Sequence, residues 1–174
     1  MTLAACAPAP QRAGIPTEWR GSPNYDERRP NFVIVHYTSE DDAERALAVL
    51  SDPLRAVSAH YLVARDGAIY QLVDERDRAW HAGASRFRGR EQCNDYSVGI
   101  ELEGLEGGQF EPAQYATLAR LCRALARRYP IDAIAGHEHI APGRKHDPGP
   151  GFDWRALQRA LRWPRAFYPD GVLG

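Results

Sequence analysis

The chain reads as a single α/β domain, a central mixed β-sheet flanked by helices, and three observations in its 174 residues predict this. The run Asn31-Phe32-Val33-Ile34-Val35 is continuously apolar and ends in His36, the pattern of a central strand buried on both faces. Between Pro112 and Pro130, Tyr115, Leu118, Leu121, Cys122 and Leu125 recur at three-and-four spacing, which specifies an amphipathic helix. Ser58–Val63 and Ala68–Val73 flank Asp66-Gly67, a turn dipeptide between two strand-like runs, and so predict a β-hairpin. Strands and helices mixed in this way pack as helices on either side of one sheet.

The remaining elements follow in order. Residues 1–22 read as a flexible leader, because the Pro/Ala/Arg-rich segment to Pro16 offers no core-forming pattern; the domain is expected over 23–174. Asp41-Asp42 precede Ala43, Ala46, Leu47 and Leu50, a short helix with acidic residues at its positive end, closed by Asp52-Pro53. Arg78 to Gly83 is neither helical nor alternating, and Arg86 to Arg90 continues as a basic-aromatic loop. In Asp95–Gly104 the residues Val98, Ile100 and Leu102 alternate with Gly99, Glu101 and Glu103, predicting a strand with an acidic face on which Glu103 is solvated. Ile131–Ala135 is a short apolar strand, and Asp153-Trp154 begins a last helix with Trp154, Leu157 and Leu161 as its stripe.

Composition excludes several classes. Net charge is −1, and the arginines are scattered, so nucleic acid is not an expected partner. No apolar run approaches the roughly 20 residues of a spanning helix. Leu3-Ala4-Ala5-Cys6 resembles a lipoprotein processing site, which makes Cys6 a candidate for lipidation and membrane attachment. Cys122 falls on the apolar side of its helix as a core residue; whether it pairs with Cys93 is left open.

The most loaded segment is Gly136–Pro150, where His137, His139, His146, Lys145 and Asp147 lie among glycines and prolines. Pro142-Gly143 and the prolines after Asp147 exclude a continuous helix, so irregular backbone is expected to hold these groups. A hydrolytic zinc site takes three imidazole or carboxylate ligands and keeps one position open. His36 at the end of the central strand, His137 after a short strand and Asp147 in the loop can supply that set; spacing alone leaves His139 and His146 as competitors. Glu101, next to the small Gly99, is placed to take a proton from water, and Lys145 to stabilise an oxyanion.

These motifs together resemble the zinc-dependent N-acetylmuramoyl-L-alanine amidases of the type-2 amidase fold, shared with peptidoglycan recognition proteins. The resemblance is carried by Val35-His36-Tyr37-Thr38, Val57–Leu62, Ala79-Trp80-His81-Ala82-Gly83, Asn94–Glu103 and Ile140–Pro150, in family order. It implies His36, His137 and Asp147 as zinc ligands, Glu101 as the catalytic carboxylate and Lys145 as transition-state stabiliser. It implies a peptidoglycan or muropeptide substrate, cut between the lactyl group of N-acetylmuramic acid and L-alanine, with Trp80, His81, Arg86 and Asn94 lining the groove. Gln92-Cys93-Asn94-Asp95 resembles cytosolic recycling amidases that act on anhydro-muropeptides, whereas Leu3–Cys6 and the short link from His36 to Ser58 resemble outer-membrane lipoprotein amidases. The envelope branch is favoured, with a cytoplasmic enzyme as the alternative and a monomer expected. A non-catalytic recognition module is the main rival, and retention of the whole ligand and catalytic set argues against it.

Overall fold

The computed structural model describes residues 14–27 and 30–174. The candidate lipidation residue Cys6 lies outside them. In chain order the elements are β1 Glu18–Trp19, β2 Tyr25–Glu27, β3 Phe32–Tyr37, α1 Ala43–Ser51, β4 Tyr61–Val63, β5 Ile69–Gln71 and β6 Asp77–Ala79. Then come β7 Arg86–Phe87, β8 Arg90–Glu91, β9 Ser97–Leu102, α2 Pro112–Arg128, β10 Ala133–Gly136, α3 His137–Ile140 and α4 Trp154–Leu161. Six strands form the main sheet in the order β1-β5-β4-β9-β3-β10. Only the β4–β5 hairpin pairs antiparallel; every other neighbour is parallel, so the sheet is mixed.

The two faces carry different layers. Val33, Val35, Val98, Ile100, Leu102 and Ile134 pack on Leu118, Leu121 and Leu125 of α2 and on Trp154, Leu157 and Leu161 of α4. The opposite face is covered by α1, whose Ala46, Leu47 and Leu50 meet Leu62, Leu72 and Val73. A small cluster of Ile34, Ala82, Cys93, Ala135, Ile140 and Ala141 completes that side. Helix starts are fixed by side chains: Asp42 accepts from the Arg45 N–H at 2.9 Å, and Asp153 from the Ala156 N–H at 2.8 Å. Gln114 accepts from the Glu111 N–H at 2.9 Å, and its amide reaches the carbonyls of Glu103 and Val63, tying α2 to the strand ends.

Several expectations are corrected. β1 pairs with β5 and lies inside the stretch read as leader over 1–22, so the sheet reaches back to Glu18. Ser22 is also buried, donating to the Leu50 carbonyl at 2.8 Å. Asp77–Ala79 pairs with β2, and the basic-aromatic loop is a β7–β8 hairpin turning at Arg88-Gly89, both at positive φ. These short pairings carry no apolar run of the kind that marks β4 and β5, so the sequence does not register them. Glu103 is buried, accepting from the Arg65 N–H at 3.0 Å, because the chain after β4 folds over it. Cys93 and Cys122 are free thiols in separate clusters.

Leu118 is fully buried in the α2 layer. Leu118→Ala is expected to cost about 2–5 kcal/mol in denaturant-induced unfolding, with the denaturant slope unchanged.

Candidate metal centre

His36 and Glu101 are direct register partners on the neighbouring parallel strands β3 and β9, near their C-terminal ends. They therefore share the sheet face opposite α2. β10, on the other side of β3, runs straight into α3, so that His137 is the first residue of a one-turn helix rather than part of an irregular loop. The turn fits because four residues separate Gly136 from Ala141, before Pro142 can interrupt it. Asp147 returns from the far side of the loop, and its carbonyl accepts from the Glu138 N–H at 2.8 Å. Gly136 makes this return feasible: a Cβ there would stand 2.4 Å from Pro148 Cδ.

Three buried side chains thereby converge. His36 Nδ1 lies 3.0 Å from His137 Nδ1 and 2.8 Å from Asp147 Oδ2, and His137 Nδ1 lies 3.1 Å from the same oxygen. They form the one group of three metal-capable side chains found among the described residues, with ligand atoms within 4.8 Å of one another. The far nitrogens are occupied: His137 Nε2 sits 3.0 Å from the Ala82 carbonyl, and His36 Nε2 3.0 Å from His81 Nδ1. With His137 Nε2 donating to that carbonyl, its Nδ1 presents a lone pair to the carboxylate and to the other ring. Lone pairs facing one another at this distance are what a cation satisfies, and two imidazoles plus one carboxylate are a zinc-type donor set. Histidines 139 and 146 are not in the group. His139 Nδ1 instead accepts the Gly136 N–H at 3.1 Å, and its ring packs edge-on against Trp154; His146 is an exposed part of the cleft wall.

Electrostatics follow from burial. Desolvation pushes His36 down to about 4; the Asp147 carboxylate opposes this and His137 adds to it. Burial pushes the Asp147 carboxyl up, but contact with the two imidazoles outweighs it and holds the group far below the usual carboxylate range. Glu101 is raised well above an ordinary glutamate by burial and then by Asp147, while Lys145 pulls it back. Its Oε2 has no hydrogen-bond partner in the structure. A buried, unpartnered carboxylate with high proton affinity beside a cleft is suited to proton transfer.

His36, His137, Asp147, Glu101, Lys145, Trp80 and His81 line one cleft. Two of the expected groove residues do not. Arg86 is exposed on β7 and pairs with Glu91 at 2.8 Å, because the hairpin register sets those two side by side. Asn94 is buried, and its Oδ1 accepts the N–H groups of His81 and Ala82 at 3.1 and 2.8 Å. Sequence reasoning missed Arg144, whose guanidinium bridges the carbonyls of Ala82 and Ala84 at 2.7 and 2.6 Å. It thereby ties the ligand loop to the segment after β6. Nothing in the sequence separates it from the other loop cations.

A mixed sheet that gathers a histidine from the end of β3, a histidine just after β10 and an aspartate from the following loop is the frame of a hydrolase with a candidate metal site. Residues 26–150 match the family model described as N-acetylmuramoyl-L-alanine amidase. The 1,6-anhydro-N-acetylmuramyl-L-alanine amidase AmpD of Citrobacter freundii is 56% identical over 167 residues, covering 82% of this chain and 88% of the relative. The N-acetylmuramoyl-L-alanine amidase AmiD of Escherichia coli K12 is 38% identical, covering 95% and 67%. A crystal structure of selenomethionine AmpD superposes with a TM-score of 0.80 at 39% identity, covering 88% of this chain and 99% of that one. The complex of E. coli AmiD with the substrate anhydro-N-acetylmuramic acid-L-Ala-D-γ-Glu-L-Lys gives 0.68 at 40% identity, covering 78% and 58%. The chain belongs to the N-acetylmuramoyl-L-alanine amidase family.

The depressed His36 yields a stability prediction for metal-free protein. An unfolded histidine takes up its proton near 6.5, whereas folded His36 does so only near 4. The folded state is therefore penalised progressively as pH falls through that window, by a few kcal/mol at its acid end. Melting temperature in chelator should drop between pH 6.5 and 4 more steeply in the wild type than in His36→Gln.

Proposed function

We propose that this protein hydrolyses the amide between the lactyl group of N-acetylmuramic acid, or its 1,6-anhydro form, and the L-alanine of the stem peptide. A zinc ion held by His36, His137 and Asp147 is the cofactor. The observation that carries the reading is the convergence of two Nδ1 atoms and one carboxylate oxygen within 3.1 Å, in the cleft that also holds the unpartnered Glu101. When bound, zinc supplies Lewis-acid polarisation of the scissile carbonyl and acidifies water.

The chain's own groups do the rest. Glu101 takes the proton from the attacking water and returns it to the departing alanine nitrogen, for which its raised proton affinity fits it. Lys145, on the exposed loop at the cleft edge, offers its ammonium to the oxyanion that develops on the carbonyl oxygen. Trp80 presents a half-buried aromatic surface to the sugar. Cleavage here separates sugar from peptide, a step of wall turnover or muropeptide recycling. The domain is placed on the periplasmic side of the envelope, anchored to the outer membrane through a lipidated Cys6, on the motif Leu3-Ala4-Ala5-Cys6. Palmitate labelling of cells that is lost in Cys6→Ser supports this; unlabelled cytoplasmic protein overturns it.

Digestion of purified sacculi and of anhydro-muropeptides, read by mass spectrometry, tests the activity. Release of intact stem peptide that stops with chelator and returns with zinc is expected; cuts within the glycan or the peptide would exclude it. Glu101→Gln should keep zinc while lowering turnover roughly 10²–10⁴-fold. Because the folded state disfavours the ionised carboxylate, stability carried by this group is greatest at acid pH and lost as pH rises. The same variant should therefore melt higher than wild type at neutral pH when metal-free.

A further inference from the structure

His81 lines the cleft, and the structure also sets its ring against the candidate ligand His36. Its Nε2 lies 3.3 Å from Ser97 Oγ, and the Ser97 hydroxyl donates to the Cys93 carbonyl at 2.6 Å. A carbonyl only accepts, so the hydroxyl proton is committed to it and Ser97 Oγ has only lone pairs left for His81. In a neutral His81 ring, Nε2 then carries the proton and Nδ1 is unprotonated. An unprotonated Nδ1 accepts from His36 Nε2, which leaves His36 Nδ1 as the unprotonated nitrogen facing His137 and Asp147. Hydrogen-bond polarity thus runs from one backbone carbonyl through two side chains to a ligand.

We propose that His81 is a positioning residue that locks His36 into the tautomer with its metal-facing nitrogen free. Asn94 supports both ligands through the same segment. Its Oδ1 holds the N–H groups of His81 and Ala82, and Ala82 supplies the carbonyl that fixes His137. Gly99 is the spatial counterpart, since a Cβ there would stand 2.4 Å from His81 Cγ. The inference rests on the zinc reading and adds to it that ligand orientation is set by a neutral imidazole, where a carboxylate or carbonyl commonly does this.

The test measures zinc affinity by competition with a chromophoric chelator, together with the imidazole ¹⁵N shifts of His36 in metal-free protein. His81→Phe keeps a ring of similar size and removes the acceptor; zinc affinity should fall 10–100-fold, and His36 should shift from pure Nε2–H to a mixture of tautomers. Ser97→Ala leaves His81 in place but frees its polarity, so the tautomer mixture should appear there with a smaller loss of affinity. Unchanged His36 shifts with wild-type affinity in either folded variant would overturn the proposal. Should His81→Phe fail to fold, Ser97→Ala alone decides. Wild-type protein that binds no zinc would instead sink the metal reading, and that outcome is separate from either variant.

Discussion

Three electron-rich atoms held about 3 Å apart at the buried end of a sheet are the constraint on which the rest depends. With neither a proton nor a cation among them they repel, and desolvation by the surrounding protein removes the water that would relieve them. The fold resists their separation from three directions. His36 is fixed by the ladders on both sides of β3, His137 by a helical turn directly after β10, and Asp147 by the hydrogen bond from the Glu138 backbone. A site strained in this way is stabilised by whatever cation it accepts, because binding to the folded state alone shifts the folding equilibrium.

The arrangement of layers explains why the strain is tolerated. α2 and α4 cover one face with a broad apolar layer, and the polar cluster occupies only the C-terminal margin of the other. Beneath it lie small apolar residues, Ala82, Ala135 and Ala141 with Ile34, Cys93 and Ile140. Small side chains let the β6–β7 segment and α3 approach the sheet closely, which brings the Ala82 carbonyl and the His81 ring within hydrogen-bond reach of the ligands. Packing and the geometry of the three side chains are therefore the same problem here: a Cβ at Gly99 would stand 2.4 Å from His81 Cγ, and one at Gly136 2.4 Å from Pro148 Cδ.

Much of this is legible in the sequence. The central strand, the β4–β5 hairpin and helices α1, α2 and α4 carry strong periodicity or clear caps. His36, His137, Asp147, Glu101 and Lys145 lie in motifs that the family resemblance resolves, and the structure brings all five to one cleft. What escaped was everything set by contact rather than period. Strands of two or three residues such as β1, β2 and β6 exist because of their partners. The burial of Glu103 depends on the path of the chain after β4. Asn94 reads as a polar group lining a substrate groove, because sequence cannot tell a side chain facing solvent from one facing backbone N–H groups; His81 does line the cleft, but its contact with the His36 ring is equally invisible in the sequence. Arg144 and Lys145 are neighbours of the same charge, yet one clamps two carbonyls and the other stands at the cleft edge.

The proton affinity of Glu101 ties the constraint to chemistry. Burial and the Asp147 carboxylate raise it, and the Lys145 ammonium lowers it. Were His36, His137 and Asp147 to hold a divalent cation, its positive charge would offset the Asp147 contribution and so lower the proton affinity of Glu101. Burial alone would make the carboxyl too reluctant to ionise to act as a base, and the cation alone would make it too weak a base to take a proton. A group that must both accept and return a proton works best between those extremes. The unpartnered Oε2 is consistent with that role: a carboxylate fully satisfied by the protein would have no lone pair to offer an incoming water.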